Sequence, residues 1–341
     1  MEEKQFRNKV SLFGFFFSIL VVWAHSYNAE LFLGKTAQGR RVMNLERIFG
    51  DFAGQIAVPG FFLLSAYLFY RNFCWKLLPA KWLSRGKSVL FPYFLWNGIY
   101  YLGYVIGSRL PLVSRAMGRG IIVLDFSGLA DAVLNYRYLY TFWYMQQLIF
   151  FVLLAPLLYL LLKRVWSGLL FLGALFVLIW ASWDILPYVN EDALFYYGTG
   201  AFLALHGRRL ERGWSLRRGL IGAGLIGAAA VNFFLTKTYF LSGTTVLYRV
   251  LMPLGLWMTA EESRLIRVRP WMQCNFFLYA VHFALVRLIN KTAAMFVPPS
   301  AVWPVLLYLT MPVLVVGISY GAAAAIKRYM PVLWSVLNGG R

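Results

Sequence analysis

The feature that most constrains this chain is a series of apolar stretches, each close to the length that crosses a lipid bilayer. A membrane helix needs about 20 mostly apolar residues. The spacing of such stretches along the 341 residues predicts ten transmembrane helices, the sixth of which is short and contains two glycines. They cover residues 10–28, 52–70, 88–106, 142–162, 168–185, 193–206, 219–235, 244–260, 272–290 and 303–326.

The composition supports a membrane protein. Hydrophobic residues make up 60% of the chain and charged residues only 13%, whereas soluble domains carry about 25% charged residues. Such a chain cannot cover a soluble surface, and its 18% aromatic residues argue against disorder. We therefore predict an all-α integral membrane protein that forms a single domain over residues 1–341, with no appended soluble domain.

The charges predict an orientation. The net charge is +20, and 21 of the 33 cations fall in the segments that would face the cytoplasm if the N-terminus lies inside, together with only 5 of the 13 acids. Because cytoplasmic loops are enriched in Lys and Arg, this count predicts both termini in the cytoplasm. No basic stretch lies away from a predicted span boundary, so nucleic acid is not an expected partner. A cleaved signal peptide is the alternative for the N-terminus, but nine further spans make one unnecessary.

One ionisable residue, His25, lies in the outer third of the first predicted span. With Ser11, Gly14 and Ser18 it falls on one helical face of an otherwise apolar segment. Two interpretations stay open: a histidine at the wall of a narrow channel, or one that points to water at the interface. A buried neutral imidazole is a good general base. Because no acid is nearby to complete a triad, such a base would need an already activated electrophile such as a thioester.

The other polar residues within spans also allow two interpretations. His282 is either a second polar wall of the same cavity or a core histidine with its hydrogen bonds satisfied. His206 is expected at the interface. Arg249 and Arg287 either extend to the headgroups or line an outer vestibule, where they would steady an acceptor or a developing oxyanion.

A basic cluster precedes the third predicted span and consists of Lys76, Lys81, Arg85 and Lys87. It either anchors the span on the cytoplasmic side or binds the phosphates of an anionic donor. Charge alone does not choose between the two.

Two further expectations concern the loops and the cysteines. The longest stretch outside the predicted spans, residues 107–141, is expected to form short interfacial helices on the outer face. Cys74 and Cys274 both fall at cytoplasmic ends of spans, so we expect neither a disulfide nor a metal site.

Several blocks of sequence together resemble the membrane-bound acyltransferase family 3, a family of ten-span O-acyltransferases. They occur in the family's order and cover most of the chain. The blocks are SILVVWAHS at 18–26, VPGFFLLSAYLFY at 58–70, LSRGKSVLFPYFLWN at 83–97, FWYMQQLIFFVLLAPLLY at 142–159 and LYAVHFALVRL at 278–288.

The resemblance implies that an acyl group, acetyl by expectation, passes from cytoplasmic acyl-CoA to a hydroxyl of a cell-surface or exported glycan across a bacterial plasma membrane. His25 occupies the position of the family's catalytic histidine. Residues expected on the donor side are Lys81, Arg85, Lys87 and Tyr93. Residues expected on the acceptor side or in the cavity are Ser65, Trp143, Arg249, His282 and Arg287. No metal is implied.

The chain departs from the family pattern in places that concern the donor. The family commonly has an Arg eleven residues before the histidine, about 16 Å along a helix, and here that position is Gly14. Ala66 replaces a usual Gly, and Gln146 and Gln147 stand where an Arg-Asp pair is common.

Two other functional classes compete with an acyltransferase. A transporter or flippase for a lipid-linked saccharide or small metabolite fits a polytopic body with a polar stripe equally well. A passive scaffold in an envelope assembly would leave His25 without a role.

Overall fold

The computed structural model describes residues 1–118, 120–183, 187–207, 211–239 and 242–339. Within these ranges every regular element is a helix, joined by turns and short irregular segments, and there is no β-strand. Four of the counted cations, Arg119, Arg208, Arg209 and Arg341, and residues 184–185 of the fifth predicted span lie outside the described residues.

The helices are numbered in chain order. They are α1 (Glu3–Ala24), α2 (Ala29–Leu33), α3 (Ala37–Phe52), α4 (Ala57–Tyr70), α5 (Leu78–Arg85), α6 (Phe91–Gly107), α7 (Pro111–Met117), α8 (Phe126–Leu134), α9 (Trp143–Leu153), α10 (Ala155–Leu162), α11 (Val165–Trp180), α12 (Glu191–His206), α13 (Leu216–Tyr239), α14 (Thr245–Thr259), α15 (Asn275–Phe296), α16 (Val302–Tyr329) and α17 (Pro331–Leu337).

Every predicted span contains at least one of these helices. Five helical segments of the described chain are long and apolar enough to cross a membrane, and a sixth is added if α9 and α10 count as one broken span. The five are Glu3–Leu33, Ala37–Tyr70, Trp75–Gly107, Leu216–Thr236 and Val302–Tyr329. The chain is therefore a multi-pass membrane protein, while ten spans with both termini in the cytoplasm stay a prediction.

The fourth predicted span keeps its predicted bounds but is not one continuous helix. α9 ends at Leu153 and α10 begins at Ala155, with Pro156 in its first turn. Proline has no N–H and its ring clashes with the carbonyl four residues earlier, here that of Val152. That carbonyl instead accepts a hydrogen bond from the Trp82 indole at 2.8 Å. The proline thus explains the break, and Trp82 satisfies the acceptor that it leaves.

Outside the predicted spans, the structure has two helices that the sequence did not predict, and it has the short helices that the sequence did predict. The structure has helices α2 and α3 between residues 29 and 52, where the sequence predicted a loop. The expected short helices between residues 107 and 141 are present as α7 and α8. Within the described residues, neither Cys74 nor Cys274 forms a disulfide.

The chain forms two compact units. The first comprises Met1–Phe73 and Ala155–Ala324, and the second comprises Cys74–Leu154 and Ala325–Arg341. A single membrane domain over residues 1–341 stays a prediction.

In the first unit, close helix packing depends on glycine. A Cβ atom added to Gly200 of α12 would collide with the backbone of Leu63 in α4. Between α13 and α14, a Cβ on Gly222 would lie 2.8 Å from the Gly255 carbonyl oxygen. Small residues let membrane helices approach until their backbones touch, so these glycines set the two contacts.

Two ionic clusters lie near the beginning of α1. The Lys9 ammonium donates to Glu262 Oε1 and to the Ala260 carbonyl, each at 2.7 Å. Arg71 pairs with Glu3 at 2.7 Å and with Glu211 at 3.0 Å. Charges in a largely apolar helical body are tolerated when they are paired in this way.

In the second unit, α5 continues into α6 through a π-helical turn over Gly86–Leu90. The Trp96 indole of α6 donates to the Leu337 carbonyl of α17 at 2.9 Å. Tyr101 of α6 accepts the backbone N–H of Asp125, which precedes α8. The hydrogen bond of Trp96 thus holds α17 against α6, and that of Tyr101 holds the start of α8 against α6.

Candidate functional site

His25 is the C-terminal cap of α1, which ends one residue earlier at Ala24. Its backbone N–H donates to the Val22 carbonyl at 3.1 Å, and the Ser26 hydroxyl donates to the same carbonyl at 2.6 Å. The helix therefore closes with a tight turn, and the chain turns away directly at the histidine. His25 thus stands at the end of α1, within the membrane-length segment Glu3–Leu33, as the first predicted span implies.

The predicted polar stripe leading to His25 is also less polar than expected. The Ser18 hydroxyl is buried and donates to the Gly14 carbonyl of its own helix at 2.9 Å. A serine bonded in this way presents little polarity to a channel. The stripe therefore serves helix packing more than it forms a polar path.

A second imidazole lies beside His25. The ring centroids of His25 and His282 are 5.3 Å apart, and His282 is fully buried on α15. Its Nδ1 lies 2.6 Å from the Tyr279 carbonyl oxygen. Because a carbonyl only accepts hydrogen bonds, Nδ1 carries the proton of the neutral ring, and Nε2 keeps a lone pair.

That lone pair has no hydrogen-bond partner, although His282 is buried. Sequence analysis left two readings of His282, and a core histidine with all its bonds satisfied does not describe this geometry. A buried acceptor without a partner marks either strain or a functional group. The two histidines together form a small basic cluster that one-dimensional spacing alone does not reveal.

Aromatic and cationic side chains surround this pair. The Phe283 ring meets the His25 ring edge-on at 5.6 Å, and the Arg287 guanidinium lies 5.5 Å from the Phe283 centroid. Arg287 itself is exposed. The structure thus brings His25, His282 and Arg287 of the predicted site into one neighbourhood, with Phe283 between the arginine and His25.

The segment after His25 is fastened by residues that sequence analysis missed. Glu46 of α3 is fully buried, and its carboxylate accepts from the backbone N–H groups of Asn28 and Ala29 at 3.1 and 3.4 Å. The Asn28 amide donates to Asn290 of α15 at 3.1 Å. The only available sequence signal was an acid within a predicted outer loop, which gives no hint of burial. These bonds fix the segment that follows His25 to both α3 and α15.

Arg249 of α14 is held by three partners. Its guanidinium pairs with Asp192 at 3.0 Å and donates to Gln55 at 2.9 Å, and the Tyr196 hydroxyl lies at 3.4 Å. An arginine engaged in this way connects α14 to α12 and to the turn between α3 and α4. Ser65, the remaining predicted residue of this unit, lies half-buried on α4.

The predicted donor residues lie in the second unit. Lys81 and Arg85 are one turn apart on α5, Lys87 is exposed within the π-helical turn, and Trp143 begins α9. Arg85 borders a largely apolar pocket between α5 and α9. The side chain of Tyr93 is buried, and its hydroxyl donates to the Val133 carbonyl. π-Helical turns are frequent at functional sites, and this one carries a cation.

Gly14, the departure from the family pattern, faces the beginning of α15. A Cβ placed on Gly14 would meet only the Asn275 amide nitrogen, at 3.5 Å. The buried Oδ1 of Asn275 has no hydrogen-bond partner. A small residue at position 14 therefore leaves room at a place where α15 presents a polar side chain.

Within the part of the chain that the structure describes, no group of three His, Cys, Asp or Glu residues is arranged to hold a metal ion. Comparison with known proteins gives one match: a family model described as an acyltransferase domain, that of acyltransferase family 3, matches residues 15–323. No curated protein and no solved structure matches the chain.

Proposed function

The chain belongs to membrane-bound acyltransferase family 3, and from this membership we propose that it transfers an acetyl group from cytoplasmic acyl-CoA to a hydroxyl of a cell-surface or exported glycan. His25 is the general base. The observation that carries the proposal is the pair of imidazoles at 5.3 Å, one of them with a lone pair that nothing in the described structure engages.

The reaction needs one proton to move from the acceptor to the leaving group. His25 takes the proton of the acceptor hydroxyl while the oxygen attacks the thioester carbonyl carbon. The C–S bond of the resulting tetrahedral intermediate then breaks, and the thiolate of CoA takes the proton back from His25. A thioester is already activated, so a base without an acidic partner suffices. Positioned bases contribute about 10²- to 10⁴-fold to such reactions.

His282 has a supporting place in this scheme. Its Nδ1–H is committed to the Tyr279 carbonyl, so only Nε2 is available, and only as an acceptor. When His25 holds the proton, its imidazolium is positively charged. The Nε2 lone pair of His282 stabilises that charge better than a purely apolar neighbour would. Lys81, Arg85 and Lys87 are proposed to bind the phosphates of the donor, since a cluster of flexible cations suits a polyphosphate.

The same proposal includes ten spans with both termini in the cytoplasm. The positive-inside count supports it, and it would place the end of α1 with His25 toward the outer side. A bacterial plasma membrane is the proposed location. A transporter or flippase remains the rival, and it predicts no cleavage of a thioester.

The test is release of free thiol from acetyl-CoA by the purified full chain in nanodiscs, supplied with a mixed glycan acceptor. We expect His25→Ala to lower the rate at least about 100-fold. His206→Ala is the matched control, because the His206 ring bonds to the Leu162 carbonyl and belongs to a structural contact. Wild-type protein that releases no thiol from any acyl-CoA, or His25→Ala that releases it at the wild-type rate, would refute the proposal.

A further inference from the structure

The π-helical turn Gly86–Leu90 joins α5 to α6 and contains Lys87, one of the cations proposed to bind the donor. The N–H of Phe91 donates to the Gly86 carbonyl, five residues earlier. In this register the next donor would come from residue 92, but Pro92 has no N–H. The Lys87 carbonyl therefore lacks the donor that a continuing π-helix would supply, and the shape of the turn depends more on the elements packed against it.

The element that packs on this turn from one side is the end of α17. The Trp96 indole of α6 donates to the Leu337 carbonyl at 2.9 Å, and both residues are buried. Asn338, directly after the helix, is 3% exposed, and its amide donates to the Trp334 carbonyl. Because Trp96 lies one helical turn after Pro92 on α6, the buried end of α17 reaches back to the π-helical turn.

Gly339 makes the direct contact with the turn. A Cβ atom added to it would lie 2.5 Å from the Lys87 carbonyl oxygen, 2.6 Å from the Pro92 ring and 3.2 Å from the Ser88 Cα. Its φ of +63° is in the left-handed region that favours glycine. Glycine thus lets the chain lie directly on the backbone of Lys87, at the carbonyl that the proline leaves without a helical donor.

The turn is also held on the side of α5. The Trp82 indole of α5 donates to the Val152 carbonyl of α9 at 2.8 Å, so α5 is fixed to α9 and the turn to α17. The Lys87 side chain is exposed, and the reach of its ammonium is set by where the backbone places its Cα. A contact that fixes this backbone therefore also fixes the space in which the cation can meet a phosphate.

We propose that α17 positions the donor site: through Gly339 and Trp96 it holds the π-helical turn in the shape that presents Lys87 to a donor phosphate. The inference rests on the proposed function, because that function assigns Lys87 to the donor. Gly339 and Trp96 are positioning residues that act through the backbone of the turn. Loss of their contacts weakens binding of the donor and leaves the chemical step unchanged.

The first test is amide hydrogen exchange over residues 85–91, followed by mass spectrometry with the full chain in nanodiscs and no donor. Gly339→Ala forces a methyl group against the Lys87 carbonyl. We expect exchange in this segment to become at least about 5-fold faster, the factor that corresponds to a small overpacking penalty. Gly118→Ala is the matched control, because Gly118 has the same φ of +63° but a Cβ there meets nothing within 4 Å. It should leave exchange over residues 85–91 as in the wild type.

The second test is the KM for acetyl-CoA, measured by thiol release. Lys87→Ala should raise it about 10-fold, the lower end of what a hydrogen bond between charged groups contributes. Gly339→Ala should raise it about 3- to 10-fold with kcat within about 2-fold of the wild type. The double variant should lie within about 2-fold of Lys87→Ala alone, because a misplaced lysine and an absent one lose the same contact.

Trp96→Phe perturbs the same contact more mildly. It keeps an aromatic ring and removes the indole N–H that donates to the Leu337 carbonyl. Exchange and KM should both rise by about 2- to 5-fold, as expected for the loss of one neutral hydrogen bond. This variant tests the inference even if Gly339→Ala does not fold.

The outcomes separate this inference from the function on which it rests. Wild-type exchange over residues 85–91 in both Gly339→Ala and Trp96→Phe would overturn it, since α17 would not hold the turn. The same follows if Lys87→Ala leaves the KM unchanged, or if Gly339→Ala raises it equally with and without Lys87; the acyltransferase itself then stands. Wild-type protein that releases no thiol from any acyl-CoA would refute the proposed function, and the role of α17 toward the donor would fall with it.

Discussion

The ion pair between Lys9 and Glu262 allows a quantitative prediction about stability. The side chains are 1% and 6% exposed, and the ammonium nitrogen lies 2.7 Å from the carboxylate oxygen. At an effective dielectric constant of about 20, the attraction at this distance is about 6 kcal/mol. Desolvation costs several kcal/mol for each ion. The pair as a whole is therefore close to neutral for stability relative to an apolar replacement.

Removing one partner has a different effect from removing both. In Glu262→Gln the Lys9 ammonium stays buried without a compensating negative charge, and its contacts are then neutral: the substituted amide oxygen, the Ala260 carbonyl and the Trp257 face. We expect the free energy of unfolding to fall by about 3–5 kcal/mol, as for other broken buried pairs. The double variant Lys9→Met with Glu262→Gln removes both charges and keeps an acceptor for the Trp214 backbone N–H, so it should lie within about 1 kcal/mol of the wild type.

The assay is equilibrium unfolding in mixed micelles, followed by tryptophan fluorescence. Arg264→Met is the matched control, because it breaks an ion pair with Glu261 in which the arginine is 82% exposed. Exposed pairs contribute about 0–1 kcal/mol. The reasoning would be refuted if Glu262→Gln matched this control, or if the double variant were as unstable as the single one.

The same pair predicts a pH dependence. Burial alone would raise the pKa of Glu262, but hydrogen bonds from Lys9 and from backbone N–H groups outweigh it and lower the pKa below its ordinary value of 4.5. A carboxylate with a lowered pKa stabilises the fold fully above the ordinary pKa, and the contribution is lost as the pH falls below it. The stability difference between wild type and double variant should shift against the wild type as the pH drops below 4.5.

Three further predictions concern packing and satisfied backbone groups, and each is measured by the same unfolding assay. Gly200→Ala should destabilise by about 1–3 kcal/mol through overpacking, whereas Gly14→Ala, which has room, should be neutral or stabilise by up to about 1 kcal/mol; equal effects would contradict the packing argument. Trp82→Phe should cost about 1–3 kcal/mol because it leaves a carbonyl without a donor. Arg249→Leu should cost about 1 kcal/mol by leaving Asp192 unpaired at a partly exposed site, and Asp192→Asn in the same background should restore most of it.

Much of the helical architecture follows from the sequence because apolar length is a local property. Each of the ten predicted spans contains a helix, and even the short segment with Gly198 and Gly200 forms α12. Details of the helices depend on single residues that change the local geometry. Pro156 divides the fourth segment, and the turn after Ala24 excludes His25 from α1. Helix ends depend on caps and hydrogen bonds that hydropathy does not record.

The site divides in the same way. His25 was identified because an ionisable side chain in an apolar membrane segment costs free energy. The match to the acyltransferase family confirms the family that the sequence resembled. Glu46 was not identified, because its burial and its bonds to the backbone after His25 depend on how α3 packs. The role of Asn28 likewise depends on Asn290, 262 residues later.

The helical membrane body, the charge asymmetry and the family can all be inferred from the order of the residues, since all three are recorded in local composition and spacing. Which polar groups meet depends instead on how the helices pack. The tertiary structure placed His282 beside His25, left the Nε2 lone pair of His282 unengaged, and buried Glu46 against the backbone that follows His25. The physical reason is that hydrogen bonding and burial depend on distances between helices, and these are set by packing contacts such as those at Gly200 and Gly222.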